Sequence, residues 1–262
     1  MPFLETSSSF LHYDVHGIGE PVVFIHGAGA NSLAWFQQIA HFSKRYKCIA
    51  LDLRGFNQSR CAPEDAHPRF FPDDLLALLD FERIDKASLV CQSMGAWAGL
   101  PLAVRHPERV RALVLSGSPT PAFGEHHDVL RVVADRFRRI QLGQMVPMED
   151  LGFSPQFLAE RPDLVLLYRM FSRLNSLECA PHSHIHAHEL RLMPEDLAGY
   201  SVPTMVMSGK LNKLLGPDIH LRAARCIPGA TTYTFEASGH SSYYEEPTHY
   251  NTVVERFLGN NV

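Results

Sequence analysis

Short apolar runs alternate with stretches of helical spacing along the first half of the chain. From Phe3 to His16 the residues alternate, Leu11, Tyr13 and Val15 against Phe10, His12 and Asp14, and the stretch closes on Gly17-Ile18-Gly19. A period of two bounded by glycine predicts an edge hairpin. Val22-Val23-Phe24-Ile25 and Cys48-Ile49-Ala50-Leu51 are unbroken apolar runs, as strands covered on both faces require. Between them Ser32 is expected to cap a helix whose Trp35, Phe36, Ile39, Ala40 and Phe42 share one face. Asp73 to Phe81 predicts another helix, with Leu75, Leu76, Leu78 and Leu79 to bury. An apolar run beginning at Lys86-Ala87-Ser88 reads as a strand, the stretch after Ser93 as a helix ending near His106-Pro107, and Val110 to Leu115 as the next strand.

Strands alternating with helices imply right-handed crossovers and a mostly parallel sheet flanked by helices, an α/β fold. The alternation breaks at residues 120–200, where helical periodicity appears at Val129–Leu142, Pro155–Glu160, Leu164–Leu174 and His188–Leu197. It resumes with a strand at Thr204–Met207, a helix at Pro217–Cys226, a strand at Thr232–Phe235 and a closing helix at Pro247–Leu258. The expected organisation is a core of residues 1–119 and 201–262 with a helical cap, 120–200, over the carboxyl ends of the strands, the ligand side of open α/β sheets.

Composition narrows the partners. Hydrophobic residues make up 45%, charged residues 20%, and the formal net charge is -4, which gives no electrostatic footprint for nucleic acid or an anionic membrane. No run is long and apolar enough to span a bilayer, and Met1 to Phe10 lacks the regions of a signal peptide, so a cytoplasmic location is expected. Cys48, Cys61, Cys91, Cys179 and Cys226 are odd in number and form no C-x-x-C pair, which disfavours a disulfide framework or zinc knuckle; all five read as small buried hydrophobes.

The chemistry centres on Cys91-Gln92-Ser93-Met94-Gly95. Ser93 falls where a strand turns into a helix, the position of a nucleophile elbow, and the small residues needed two before and two after it are Cys91 and Gly95. Cys91 departs mildly from G-x-S-x-G. With His26-Gly27-Ala28-Gly29 and Trp35, Asp52-Leu53-Arg54-Gly55-Phe56 with Ser59, and Ser238-Gly239-His240 followed by Glu246-Pro247, the chain resembles the α/β-hydrolase superfamily over nearly its whole length. The resemblance implies a serine nucleophile at Ser93, His240 as the base that takes its proton, and an oxyanion hole from the backbone N–H groups of Ala28 and Met94. It also implies that Asp52 and Arg54 brace a loop.

The acid position departs from the pattern. The G-x-x-D register after the strand that follows the cap reads Gly209-Lys210-Leu211-Asn212, and the other slot used in the superfamily reads Ser116-Gly117-Ser118. Asn212 is expected to accept a hydrogen bond from the imidazole through its amide oxygen, without the charge that stabilises imidazolium. Three explanations stand: a specialised or slow enzyme, an asparagine put in place of a native aspartate, or a carboxylate from elsewhere such as Asp218 or Glu236.

The expected function is cleavage of an ester, lactone or related carbonyl compound, carbon–carbon hydrolysis included, through an acyl-enzyme on Ser93, without metal or other cofactor. Serine at the elbow argues against dehalogenase and epoxide hydrolase chemistry, which needs a carboxylate nucleophile. The alternative is a repurposed member, a lyase, cofactor-free oxygenase or small-molecule receptor, motivated by Asn212. The partner is a small, largely apolar molecule. His182, His184, His186 and His188 could pair at helical spacing as metal ligands, but a polar loop or pocket wall is the preferred reading. Arg136, Arg138 and Arg139 read as a solvated helix face, and Met145, Met148, Phe153, Tyr168, Met170 and Phe171 as pocket lining or cap core.

Overall fold

A computed structural model describes residues 2–141, 151–176, 179 and 181–261. The strands are β1 (Phe3–Glu5), β2 (Ser9–His16), β3 (Glu20–Ile25), β4 (Tyr46–Leu51), β5 (Arg60–Cys61), β6 (Ala87–Gln92), β7 (Val110–Ser116), β8 (Thr204–Gly209) and β9 (Thr231–Phe235). They form one sheet in the order β1-β2-β4-β3-β6-β7-β8-β9, with β5 on β2. The expected hairpin is there: β2 runs antiparallel to β1, β4 and β5, and every pair from β4 to β9 along the sheet is parallel.

The helices are α1 (Phe36–Phe42), α2 (Phe71–Phe81), α3 (Ala96–Arg105), α4 (Asp128–Gln141), α5 (Pro155–Glu160), α6 (Pro162–Ser172), α7 (Ile219–Ala224), α8 (Ser242–Glu245) and α9 (Pro247–Gly259). Period-two alternation in β3 sends Val23 and Ile25 into one apolar layer with Leu78, Leu100 and Ile219, and Val22 and Phe24 into the other with Phe42 and Val254. Helices α2, α3 and α7 therefore cover one face of the sheet and α1 and α9 the other. Trp35 is fully buried, its ring 5.3 Å from Phe24 and 4.4 Å from Tyr243. Burial of such a side chain contributes roughly 2–3 kcal/mol.

Two local expectations need correction. The cap of the first helical segment is Asn31, whose side chain accepts from Leu33 N–H; the Ser32 amide instead donates to Asp52 Oδ1 at 2.7 Å. The chain at 188–197 is not the helix that its spacing suggests but a short 3-10 turn at His188–Leu190, then turns closed by a bridge between Leu192 and Ala122. Pro194 has no amide hydrogen to continue a helical ladder there.

Between residues 120 and 200 the described residues form helices and turns and contain no named strand. Leu130 and Val133 of α4 join the layer beneath α2 and α3, while Phe157, Val165 and Tyr168 join the opposite one. Phe153, Phe157 and Tyr168 stack around Tyr244 with centroids 5.6, 6.1 and 5.2 Å away, which ties this segment to α8. The expected pocket lining divides accordingly: Phe153 is core, Phe171 half-buried and Met170 exposed, while Met145 and Met148 lie outside the described residues. Among the described residues no helix is long and apolar enough to cross a membrane.

The departure at Cys91 has a counterpart one helix away. A Cβ on Gly99 of α3 would lie 2.4 Å from Cys91 Sγ, so the missing side chain at 99 makes room for the thiol. Gly99→Ala is expected to destabilise the fold by about 1–3 kcal/mol through overpacking. The double variant Cys91→Ala, Gly99→Ala should recover most of that loss, because the Cβ atoms would stand 3.8 Å apart. Urea denaturation of the four species checks it; additive losses would show that the two positions do not share the space.

Candidate active site

Strand β6 ends extended at Gln92, and the chain reverses at Ser93, whose φ of +49° lies in the left-handed region. A non-glycine residue held there costs about 1–3 kcal/mol, and the surroundings enforce it. A Cβ on Gly95 would sit 2.6 Å from Ile25 O, and one on Gly27 would sit 2.9 Å from Ser93 Cβ, so both neighbours of the turn must be glycine. The outcome is the strand–turn–helix expected of a nucleophile elbow, running into α3 through a short 3-10 turn at Ser93–Gly95.

The loop facing Ser93 is held by buried polar groups. His26 Nδ1 donates to Gly27 O at 2.8 Å and its Nε2 accepts from Leu53 N–H at 3.0 Å, which fixes the tautomer and pins the turn carrying Ala28. Asp52 is the hub behind it, accepting from Ser32 N–H, Asn57 Nδ2 and His12 Nδ1. Arg54 makes a bidentate pair with Asp74 at 2.6 and 2.5 Å. Both residues brace the loop, as expected.

His240 follows β9 on a tightly fastened loop. Glu245 accepts Gly239 N–H through Oε1 and Ser154 N–H through Oε2, both at 2.8 Å, bridging the histidine loop to the segment above it. Gly117, at φ +55°, passes so close that a Cβ there would lie 2.5 Å from His240 O. Part of the second acid slot is thus occupied by backbone contact. His240 is 6% exposed, and burial alone pushes its pKa down to about 4. The ring is neutral at pH 7.

Asn212 reaches His240, but not by the atom expected. Its Oδ1 accepts the N–H groups of Leu214 and Leu215, both at 3.1 Å. Its Nδ2 donates to Ser208 Oγ at 3.0 Å and stands 3.3 Å from His240 Nδ1. Turning the amide over would set its NH2 against two backbone donors, so the network fixes its orientation. An amide N–H facing Nδ1 makes that nitrogen the acceptor and leaves the ring proton on Nε2, the side facing the pocket. The expected acceptance through the amide oxygen is therefore overturned by the turn at Leu214-Leu215.

The other candidate acids lie elsewhere. Glu236 pairs with Lys210 on the surface and Asp218 stands at the start of α7 beside His220. Among the described residues no carboxylate offsets the burial of His240. Arg136 is half-buried and donates to Lys213 O at 3.0 Å and to Leu214 O, tying α4 to the turn that orients Asn212. The side chain of Arg138 lies outside the described residues, and Arg139 is exposed.

Ser93, His240, Ala28 and Met94 line one cavity. Trp97, Leu130, Val133, Ile185, Leu214 and Leu215 supply apolar walls. Among the described residues no hydrogen bond joins Ser93 to His240, and no group of three His, Cys, Asp or Glu side chains converges as a metal site. The 182–188 histidines lie on 3-10 turns and connecting turns, not on one helical face; His184 packs against His67 at 4.7 Å. Cys48 and Cys91 are buried, whereas Cys61, Cys179 and Cys226 are only half-buried, a correction to the expectation for all five.

The strand order, the left-handed serine and the histidine after the last strand are the features to set beside known proteins. Residues 20–142 match the family described as alpha/beta hydrolase fold. The chain has the α/β-hydrolase fold. It is 28% identical over 266 residues to a 2-hydroxymuconate semialdehyde hydrolase of Pseudomonas sp. (strain CF600), covering 92% of this chain and 88% of that one. An esterase from Thermogutta terrifontis has the same fold at a TM-score of 0.82 and 22% identity, covering 99% of each chain. The enol-lactonase from Burkholderia xenovorans LB400 superposes at 0.81 with 23% identity, covering 98% of this chain and 100% of that one. Asn212 stands in the register where the sequence pattern leads one to expect an acid. Glu245, Ser208 and the Leu214 and Leu215 amides escaped sequence reasoning; only Glu245 carried a signal, its place within the His240 to Pro247 motif.

Proposed function

We propose that this protein of α/β-hydrolase fold cleaves an ester, lactone or related carbonyl substrate through an acyl-enzyme on Ser93. The observation that carries the reading is Ser93 at φ +49° in a cavity shared with His240. In the first step Ser93 Oγ attacks the substrate carbonyl carbon while His240 Nε2 takes the hydroxyl proton. The oxyanion is received by the amides of Ala28 and Met94, and the leaving group departs with the proton from His240. Water then repeats the sequence to release the acid. The segment 120–200 acts as the cap, supplying Leu130, Val133, Tyr168 and Ile185 to the wall and favouring an apolar substrate.

For His240 to accept a proton on Nε2, its own hydrogen must sit on Nδ1, where Asn212 presents a donor. The reactive tautomer is the minor one, so turnover is slow. The similarity to a semialdehyde hydrolase, an esterase and a lactonase supports carbonyl chemistry of this range.

The test is p-nitrophenyl acetate hydrolysis across pH. With the His240 pKa near 4, the base is neutral above that value, so kcat/KM should hold from pH 8 down to about 5 and fall only below, without an inflection near 6.5. Asn212→Asp stabilises the imidazolium and should move the acid limb upward. A protein without measurable turnover that never acylates would favour the repurposed, non-hydrolytic reading.

A further inference from the structure

The corner of the cavity around Ser93 is rich in hydrogen-bond donors. Asn212 holds the ring proton of His240 on Nε2, and Ser93 adds a hydroxyl. Among the described residues neither the Ala28 nor the Met94 amide donates to a protein acceptor, and both residues line the cavity. An aspartate at 212 would reverse one of these groups: Nδ1 would donate to the carboxylate and Nε2 would present a lone pair. Asn212 therefore changes what the pocket binds as well as how fast it reacts.

We propose that the resting pocket is a binding site for an apolar monocarboxylate, its oxygens shared among the Ala28 and Met94 amides, the Ser93 hydroxyl and His240 Nε2–H, and its tail among Trp97, Leu130 and Ile185. The inference rests on the reading of Ala28 and Met94 as oxyanion donors. A carboxylate only accepts hydrogen bonds, and bonds to an ionised acceptor are stronger than neutral ones. In the Asn212→Asp variant the same anion would meet a lone pair on Nε2 and a second negative charge behind the ring. The asparagine thus trades turnover for retention of an acid of the kind that ester hydrolysis releases.

Titration of the intact protein with hexanoate and with hexanamide at pH 7, read by calorimetry and by the fluorescence of Trp97 in the cavity wall, tests this. Hexanoate should bind more tightly than hexanamide. Asn212→Asp should weaken hexanoate by at least about tenfold while hexanamide changes by less than about threefold. Nitrogen-15 NMR of labelled histidine in the unchanged protein should show His240 protonated on Nε2 and bare on Nδ1, a readout independent of any variant's folding. Equal hexanoate affinity in both proteins, no preference over the amide, or a ring protonated on Nδ1 would each overturn the inference. Fluorophosphonate labelling of the same preparations separates the two readings. Labelling without carboxylate preference removes only this inference, and carboxylate preference without labelling removes the hydrolase reading but leaves the binding site.

Discussion

Asn212→Asp is expected to raise kcat for p-nitrophenyl acetate by about three to four orders of magnitude, the reverse of the ~10⁴-fold loss that the acid-to-amide change causes in a serine protease. The physical reason is in the contacts around residue 212. One carboxylate oxygen would keep the Leu214 and Leu215 amides that Asn212 Oδ1 now accepts. The other would replace the amide NH2 beside His240 Nδ1 and beside Ser208 Oγ, where the serine hydroxyl can turn to donate. The ring would then carry its proton on Nδ1, Nε2 would be free to take the proton of Ser93, and the imidazolium formed in the transition state would gain a facing charge. Arg136 ties the surrounding turn to α4, which steadies the position of residue 212. Steady-state kinetics of the two proteins at pH 7 check this; a gain of less than about tenfold would mean that the amide is not what limits the rate.

Removing the nucleophile should have an effect that depends on residue 212. Members of a triad act as a unit, so a second loss costs less once the first has been taken. In a serine protease the whole unit is worth about 2 × 10⁶ in kcat and the acid alone about 3 × 10⁴. Ser93→Ala is therefore expected to cost about 10²-fold in the chain as it stands and on the order of 10⁶-fold in the Asn212→Asp background. The four proteins form a double-mutant cycle measured with one activated ester. Equal losses in both backgrounds would show that Ser93 does not work through His240 and the group at 212.

Most of the sheet could be read because strands covered on both faces carry continuous apolar runs, as at Val22–Ile25 in β3, Cys48–Leu51 in β4, Leu89–Cys91 in β6 and Ala112–Leu115 in β7. The elbow was legible through its size limits, since the turn at Ser93 calls for small residues two before and two after it, Cys91 and Gly95. Less legible were features set by contacts far apart in the chain. The stretch at 188–197 carried helical spacing, yet Leu192 is held by its bridge to Ala122. The orientation of the Asn212 amide was not a property of the residue at all. It follows from two backbone donors at Leu214 and Leu215, which no side-chain pattern announces. Cys91 shows the same principle at smaller scale: the departure from glycine makes sense only beside Gly99, eight residues away in sequence and in contact in space.

We propose that Ser93 is a nucleophile served by His240 and slowed by Asn212. Intact-mass measurement of fluorophosphonate labelling over time, with peptide mapping, in this protein and in Asn212→Asp tests it most directly. A single adduct on Ser93 is expected in both proteins, formed orders of magnitude faster in the aspartate variant and absent after Ser93→Ala. No adduct on Ser93 in either protein, or equal rates in the two, would contradict it.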